Sequence, residues 1–148
     1  MIVGIDPGQH GALAFFDPAK GWIVVDMPVV GNKLNAAGLR DLLTGFAVER
    51  AYLEFATTHP HDGRLGAFRY GGLWYSIQAV LSCLDIPFEL INPGTWKRHY
   101  HIRRADKEKS RQLALELFPA MAGKLARKKD HGRAEAMLIA HYGAKRAP

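Results

Sequence analysis

Apolar residues open this chain in short unbroken runs and recur later at helical spacing. Ile2, Val3 and Ile5 form a first run that ends on an acid, Asp6. A turn follows through Pro7, Gly8, Gln9, His10 and Gly11, and then a second run, Ala12, Leu13, Ala14, Phe15 and Phe16. The pattern predicts a β-hairpin with a carboxylate at the tip of its first strand. Residues 21–27 read as a third strand, closed by Pro28. Leu34, Ala37, Leu42, Leu43 and Phe46 repeat at helical spacing and predict an amphipathic helix over about 34–48, weakened by Gly38 and Gly45. A fourth strand over 50–55 carries Glu54 near its end, where the chain turns polar.

A turn-rich loop over 57–64 leads into a helix over about 67–84, which carries Phe68, Tyr70, Trp74, Tyr75, Ile77, Val80, Leu81 and Leu84. Residues 86–91 form a fifth strand. Residues 93–97 read as a turn with a basic end, and 98–105 as basic and irregular. Asp106 is placed as the N-cap of a helix that stops at Pro119. A basic linker over 120–130 precedes a last helix, opened by Asp130, His131 and Gly132 and running over 133–142. The tail from Gly143 reads as frayed.

The order β-β-β-α-β-α-β-α-α predicts an α/β fold: one five-stranded mixed sheet flanked by helices, in a single domain over 1–148. Composition leaves that picture unchanged, with 48% apolar and 23% charged residues. No apolar run approaches the ~18 residues of a membrane span, and no secretory pattern opens the chain. The single cysteine, Cys83, excludes an intramolecular disulfide and is expected as a small core residue. A cytoplasmic location fits, bacterial or, for a phage-encoded protein, that of the host.

Charge changes the picture more. The net charge is +6, and from Lys97 onward 14 Lys and Arg face 5 Asp and Glu. A basic half on a compact domain points to a polyanion, and nucleic acid is favoured over a merely solvated surface.

The acids supply the chemistry. Asp6 alone is as readily a turn cap, Asp130 an N-cap and Glu135 a solvent-facing helix acid. As a set, Asp6, Glu54, Asp130 and Glu135 end or begin three different elements. His131 and Glu135, four apart, share a helix face. Acids converging this way need a cation to stay ionised. Hard oxygen donors suit Mg²⁺ or Mn²⁺, and two such ions would clamp a phosphodiester.

In this order the motifs resemble the RuvC family of Holliday-junction resolvases, within the RNase H-like superfamily, and most closely its small phage- and prophage-type members. The matching stretches are Ile2-Val-Gly-Ile-Asp-Pro-Gly8, Tyr52-Leu-Glu54, Asn92-Pro-Gly-Thr-Trp-Lys97, Asp106-Lys-Glu-Lys-Ser-Arg111 and Lys129-Asp-His-Gly-Arg-Ala-Glu-Ala136. They span nearly the whole chain. The resemblance implies a homodimeric, Mg²⁺-dependent crossover junction endodeoxyribonuclease that nicks two like-polarity strands of a four-way or branched DNA symmetrically. Two ions are implied, with Mn²⁺ as a substitute. Carried over by position, Asp6, Glu54 and the last-helix acids are metal ligands. Lys97 and Lys109 match two active-site lysines, with Lys107 as the alternative to Lys109.

The chain departs from the family in its last pair, where Asp130 and Glu135 are five apart and His131 and Glu135 four. Glu135 ranks first as a ligand, then Asp130, then His131. Phe55, Phe68 and Tyr70 are candidates for a wedge that stacks on an unpaired base. Trp74 and Tyr75 belong to a dimer interface or to the core. His59, His61, His99 and His101 lack the partners of a zinc site and are expected on the surface. The rival readings are an actin-like ATPase fragment, a silent DNA-binding module, and a nuclease of the same superfamily acting on a flap or an RNA–DNA hybrid.

Overall fold

The computed structural model describes residues 1–58, 61–103 and 106–146. Five strands form the main sheet: β1 Ile2–Asp6, β2 Ala12–Asp17, β3 Gly21–Asp26, β6 Arg50–Glu54 and β7 Phe88–Ile91. Two-residue strands β4 Val29–Val30 and β5 Lys33–Leu34 make a separate small hairpin. The helices are α1 Ala36–Gly45, α2 Arg64–Cys83, α3 Pro93–His99, α4 Lys107–Leu117 and α5 His131–Arg146.

The sheet order is β3-β2-β1-β6-β7. β1, β2 and β3 form an antiparallel meander, while β6 and β7 run parallel to β1. Strand alternation then assigns the two faces. Val3 and Ile5 of β1 and Ala51 and Leu53 of β6 pack in a core with Leu39 and Leu43 of α1 and Leu73, Trp74, Ile77 and Leu81 of α2. Tyr52 of β6 joins the opposite core, with Ala134, Ala136, Met137 and Leu138 of α5, Trp96 of α3 and Ala114 of α4. Even positions of both strands therefore face α5, and Asp6 and Glu54 are the last of them.

α5 lies close on the sheet because Gly4 offers no side chain. A Cβ there would collide with the Ala136 carbonyl and with Ala140. The helix is buried along most of its length, from Gly132 to Gly143. That depth carries Glu135 to the ends of β1 and β6.

Several expected elements differ. The stretch from Pro93 to Lys97 is helix, not turn, because Asn92 caps it by accepting from Gly94 N–H at 2.8 Å, with Pro93 at the first helical position. The expected linker over 120–130 holds 3₁₀ turns at Pro119–Lys124 and Lys128–Asp130. The final helix continues to Arg146, through most of the segment expected to fray. Cys83 is exposed at the end of α2 rather than buried in a core. Of the weak zinc candidates, His61, His99 and His101 are on the surface, and His59 lies outside the described residues.

Candidate active site

β1 and β6 pair in parallel, with Ile5 opposite Leu53, so the next residues, Asp6 and Glu54, end neighbouring strands. Glu135 comes up from α5. Their proximity is felt electrostatically. The Asp6 carboxyl is pushed well above its ordinary range, first by removal from water, then by the charges of Glu135 and Glu54. Lys97 and Lys107 oppose that rise.

Each of the other two acids has a defined partner. Lys97 Nζ donates to Glu135 Oε1 at 2.9 Å, and Ser110 Oγ donates to the same oxygen at 3.1 Å. The Trp96 indole N–H donates to Glu54 Oε2 at 2.7 Å. The Trp74 indole N–H donates to the Glu54 backbone carbonyl at 3.0 Å. Among the described residues, no three His, Cys, Asp or Glu side chains are drawn tightly enough together to encircle an ion. Glu135 turns instead to a lysine and a serine, and Glu54 to an indole.

Two cavities meet at these acids. The larger, about 460 Å³, is lined by Glu54, Tyr70, Lys97, Lys107 and Glu135 among others. The smaller is lined by Asp6, His10, Lys107, His131 and Glu135, with the turn residues 7–9 and Gly11. The Tyr70 phenol is pushed far above its ordinary range, mainly by burial and further by Asp6 and Glu54.

Asp130 is not among the gathered acids. It ends a 3₁₀ turn that folds back on Arg127. Arg127 donates to it through its backbone N–H at 2.8 Å and its guanidinium Nη2 at 2.7 Å. Arg133 lies 3.7 Å away and also grips Asp26. The Arg127 hydrogen bond outweighs burial and holds the Asp130 carboxyl below its usual range. His131 lines the smaller cavity with Asp6 and Glu135, whereas Asp130, ranked ahead of it as a ligand, lines neither of the two cavities. Lys109 is likewise exposed and absent from the walls of both cavities, where the structure has Lys107. Lys107 opens α4, whereas Lys109 supplies the backbone N–H that Asp106 caps.

Sequence reasoning passed over three contributors. Ser110 is buried against Glu135, with no signal beyond its motif. Trp96 lies within the Asn92–Lys97 stretch, and its sequence position carries no sign of its hydrogen bond to Glu54. Gly132 is a spacing device, since a Cβ there would stand 2.6 Å from the His10 carbonyl oxygen and 3.2 Å from Asp6 Oδ2.

With this geometry in place, the fold has clear counterparts. Thermus thermophilus RuvC in complex with Holliday junction substrate matches with a TM-score of 0.64 and 18% identity, over 97% of this chain and 91% of that one. A second Thermus thermophilus RuvC structure matches at 0.62 and 15%, over 97% and 95%. The yeast mitochondrial Holliday junction resolvase Ydc2 matches at 0.55 and 14%, over 94% and 76%. No protein-family profile and no curated protein matches the chain significantly. At these identities the likeness is one of fold: the chain has the RNase H-like fold in the form that RuvC resolvases have.

Proposed function

We propose that this protein is a structure-selective endonuclease that resolves four-way or branched DNA by Mg²⁺-dependent hydrolysis of phosphodiesters. The observation that carries the reading is the convergence of Asp6, Glu54 and Glu135 beside Lys97 and Lys107, at the ends of two parallel strands of a RuvC-type sheet. The donor set fits a hard divalent cation: carboxylate oxygens from three separate elements, mutually repelling, with no thiol. Asp6, Glu54 and Glu135 would hold the ions, with His131, on the wall of the smaller cavity, as a further candidate ligand. An Mg²⁺ held by these residues would supply activation of a water and stabilisation of charge on the phosphate.

The chain's own groups do the rest. Lys107, at the junction of the two cavities, binds a phosphate oxygen, and Lys97 offsets the negative charge of the acids. The P–O bond to the leaving deoxyribose oxygen breaks as the water oxygen bonds to phosphorus; the water gives up a proton and the leaving oxygen takes one up to become a hydroxyl. The basic segment from Lys97 onward supplies sequence-independent affinity for the backbone.

A homodimer fits the outer face of α2. Leu65, Phe68, Gly72, Tyr75, Ala79 and Ser82 are all exposed and recur at alternating steps of three and four, the period of a helix–helix seam. Leu65, Phe68 and Tyr75 are 58%, 79% and 67% exposed. Trp74, by contrast, is core. Among the three wedge candidates Phe68 is the most exposed, while Phe55 packs edge-on against Trp74 and Tyr70 is half-buried at the acids. No described helix is long and apolar enough to cross a membrane. The place of action is that of its DNA, the cytoplasm of a bacterium or of a phage's host.

The test is a panel of labelled substrates: four-way junction, linear duplex, flap and RNA–DNA hybrid, each with Mg²⁺ and with EDTA. Paired symmetric nicks in the junction alone, dependent on Mg²⁺, are expected. Cutting of flap or hybrid would move the protein to another nuclease activity of this fold, and binding without cutting would make it a silent module. Sedimentation of the free protein checks the dimer.

A further inference from the structure

Consecutive residues of α3 hold two different acids. Lys97 reaches Glu135, and Trp96 reaches Glu54. We propose that Trp96 is a positioning residue for the metal site, whose indole N–H fixes the plane of the Glu54 carboxylate. The inference rests on the metal-dependent reading above and deepens it.

Four observations support it. Trp96 is wholly buried, and an indole N–H buried that deeply needs a partner. Its partner is the functional carboxylate, at the short distance of a charge-assisted hydrogen bond, 2.7 Å. The ring has little freedom, because α3 is fixed at its start by Asn92 and Pro93 and the ring lies edge-on to Tyr100 at 6.5 Å. Finally, the Lys97 ammonium lies 5.0 Å from the Trp96 ring centroid, so one ring neighbours the groups that hold both acids.

Trp74 completes the grip from the other side of the sheet. It belongs to the core shared with α1, yet its indole N–H takes the backbone carbonyl of Glu54. The carboxylate is thus oriented by one rigid aromatic donor and its main chain by another. Neither indole can be replaced by a flexible side chain without loosening the ligand. Removing such supporting donors typically costs about 10–100-fold in metal affinity or activity.

Trp96→Phe keeps an aromatic ring, though a smaller one, and deletes the N–H. We expect it to fold, to bind a four-way junction in EDTA as the wild type does, and to bind Mn²⁺ about tenfold more weakly by electron paramagnetic resonance. The Mg²⁺ concentration for half-maximal cleavage should rise by the same factor. A purely packing role would lower the melting temperature and leave metal affinity unchanged, and that result would overturn the proposal.

A second measurement needs no change at Trp96. The chain has three tryptophans, hence three indole N–H signals in a ¹H–¹⁵N spectrum. One should shift as Mg²⁺ is added, and the same one should move in Glu54→Gln. Metal binding with no indole signal moving would overturn the inference alone. A wild-type chain that binds no Mn²⁺ would overturn the metal reading and this inference with it.

Discussion

Lys97 and Glu135 meet at 2.9 Å inside the protein, with side chains only 10% and 8% exposed. A buried pair of this kind is costly to break from one side, because the surviving charge is left without compensation. Lys97→Met should therefore destabilise the fold by about 3–5 kcal/mol and remove cleavage. Adding Glu135→Leu should recover much of that stability and none of the activity. Thermal melts and junction assays on both variants separate the two effects. Equal stability losses in the single and double variants would contradict the pairing.

Gly132 sets the distance between α5 and the turn after β1. Gly132→Ala would force a methyl group between His10 and Asp6. Displacements of about 1 Å near reacting groups can cost on the order of 100-fold in rate. Cleavage should fall by at least about tenfold, with junction affinity in EDTA little changed, as a gel-shift titration beside a rate measurement would show.

The two lysines that open α4 should behave differently. Lys107 lines both cavities at the acids and Lys109 lines neither. Lys107→Ala should slow cleavage and reduce the salt dependence of junction binding by about one phosphate contact. Lys109→Ala should leave the cleavage rate near that of the wild type. Salt titrations and single-turnover rates for each variant decide it, and the reverse ranking would restore the assignment that the motif alone suggests.

Asp6 makes stability depend on pH in a definite direction. Its carboxyl is raised in the folded protein, so between its ordinary and its raised value the folded state binds more protons than the unfolded one. Stability contributed by this group is then lost as pH rises through that window. Asp6→Asn should be more stable than the wild type at neutral pH in EDTA, and the gain should vanish in acid. Mg²⁺ should raise the melting temperature of the wild type more than that of the variant. Melts across pH, with and without the metal, check the sign.

What could be read from the chain beforehand followed from local periodicity. Strand alternation places Asp6 and Glu54 at strand ends with a defined face, because a period of two fixes which face each side chain takes; that β1 and β6 are neighbours is set by their parallel pairing in the sheet, which the local pattern leaves open. The five strands and the sheet class followed from the same signal. Asp130 was different. Its place at a helix mouth was legible, but its partner Arg127 was not, since a residue three positions back competes for the carboxylate only once the 3₁₀ turn forms. The helix at Pro93 carried its own start signal, Asn92 before Pro93, and the glycine after it masked the pattern. Trp96, Ser110 and Gly132 act by contacts between distant elements, which no local pattern carries.

The central claim is that the gathered acids cut and the basic surface binds. The most direct measurement follows one labelled four-way junction with wild type, Asp6→Asn and Glu54→Gln in Mg²⁺, scoring the bound and the nicked fractions together. The wild type should make paired symmetric nicks, and both variants should bind with near-wild-type affinity while cleaving about 100–1,000-fold more slowly, the scale lost when preorganised charge is removed from a site. A variant that nicks the junction at the wild-type rate would contradict the role given to that acid.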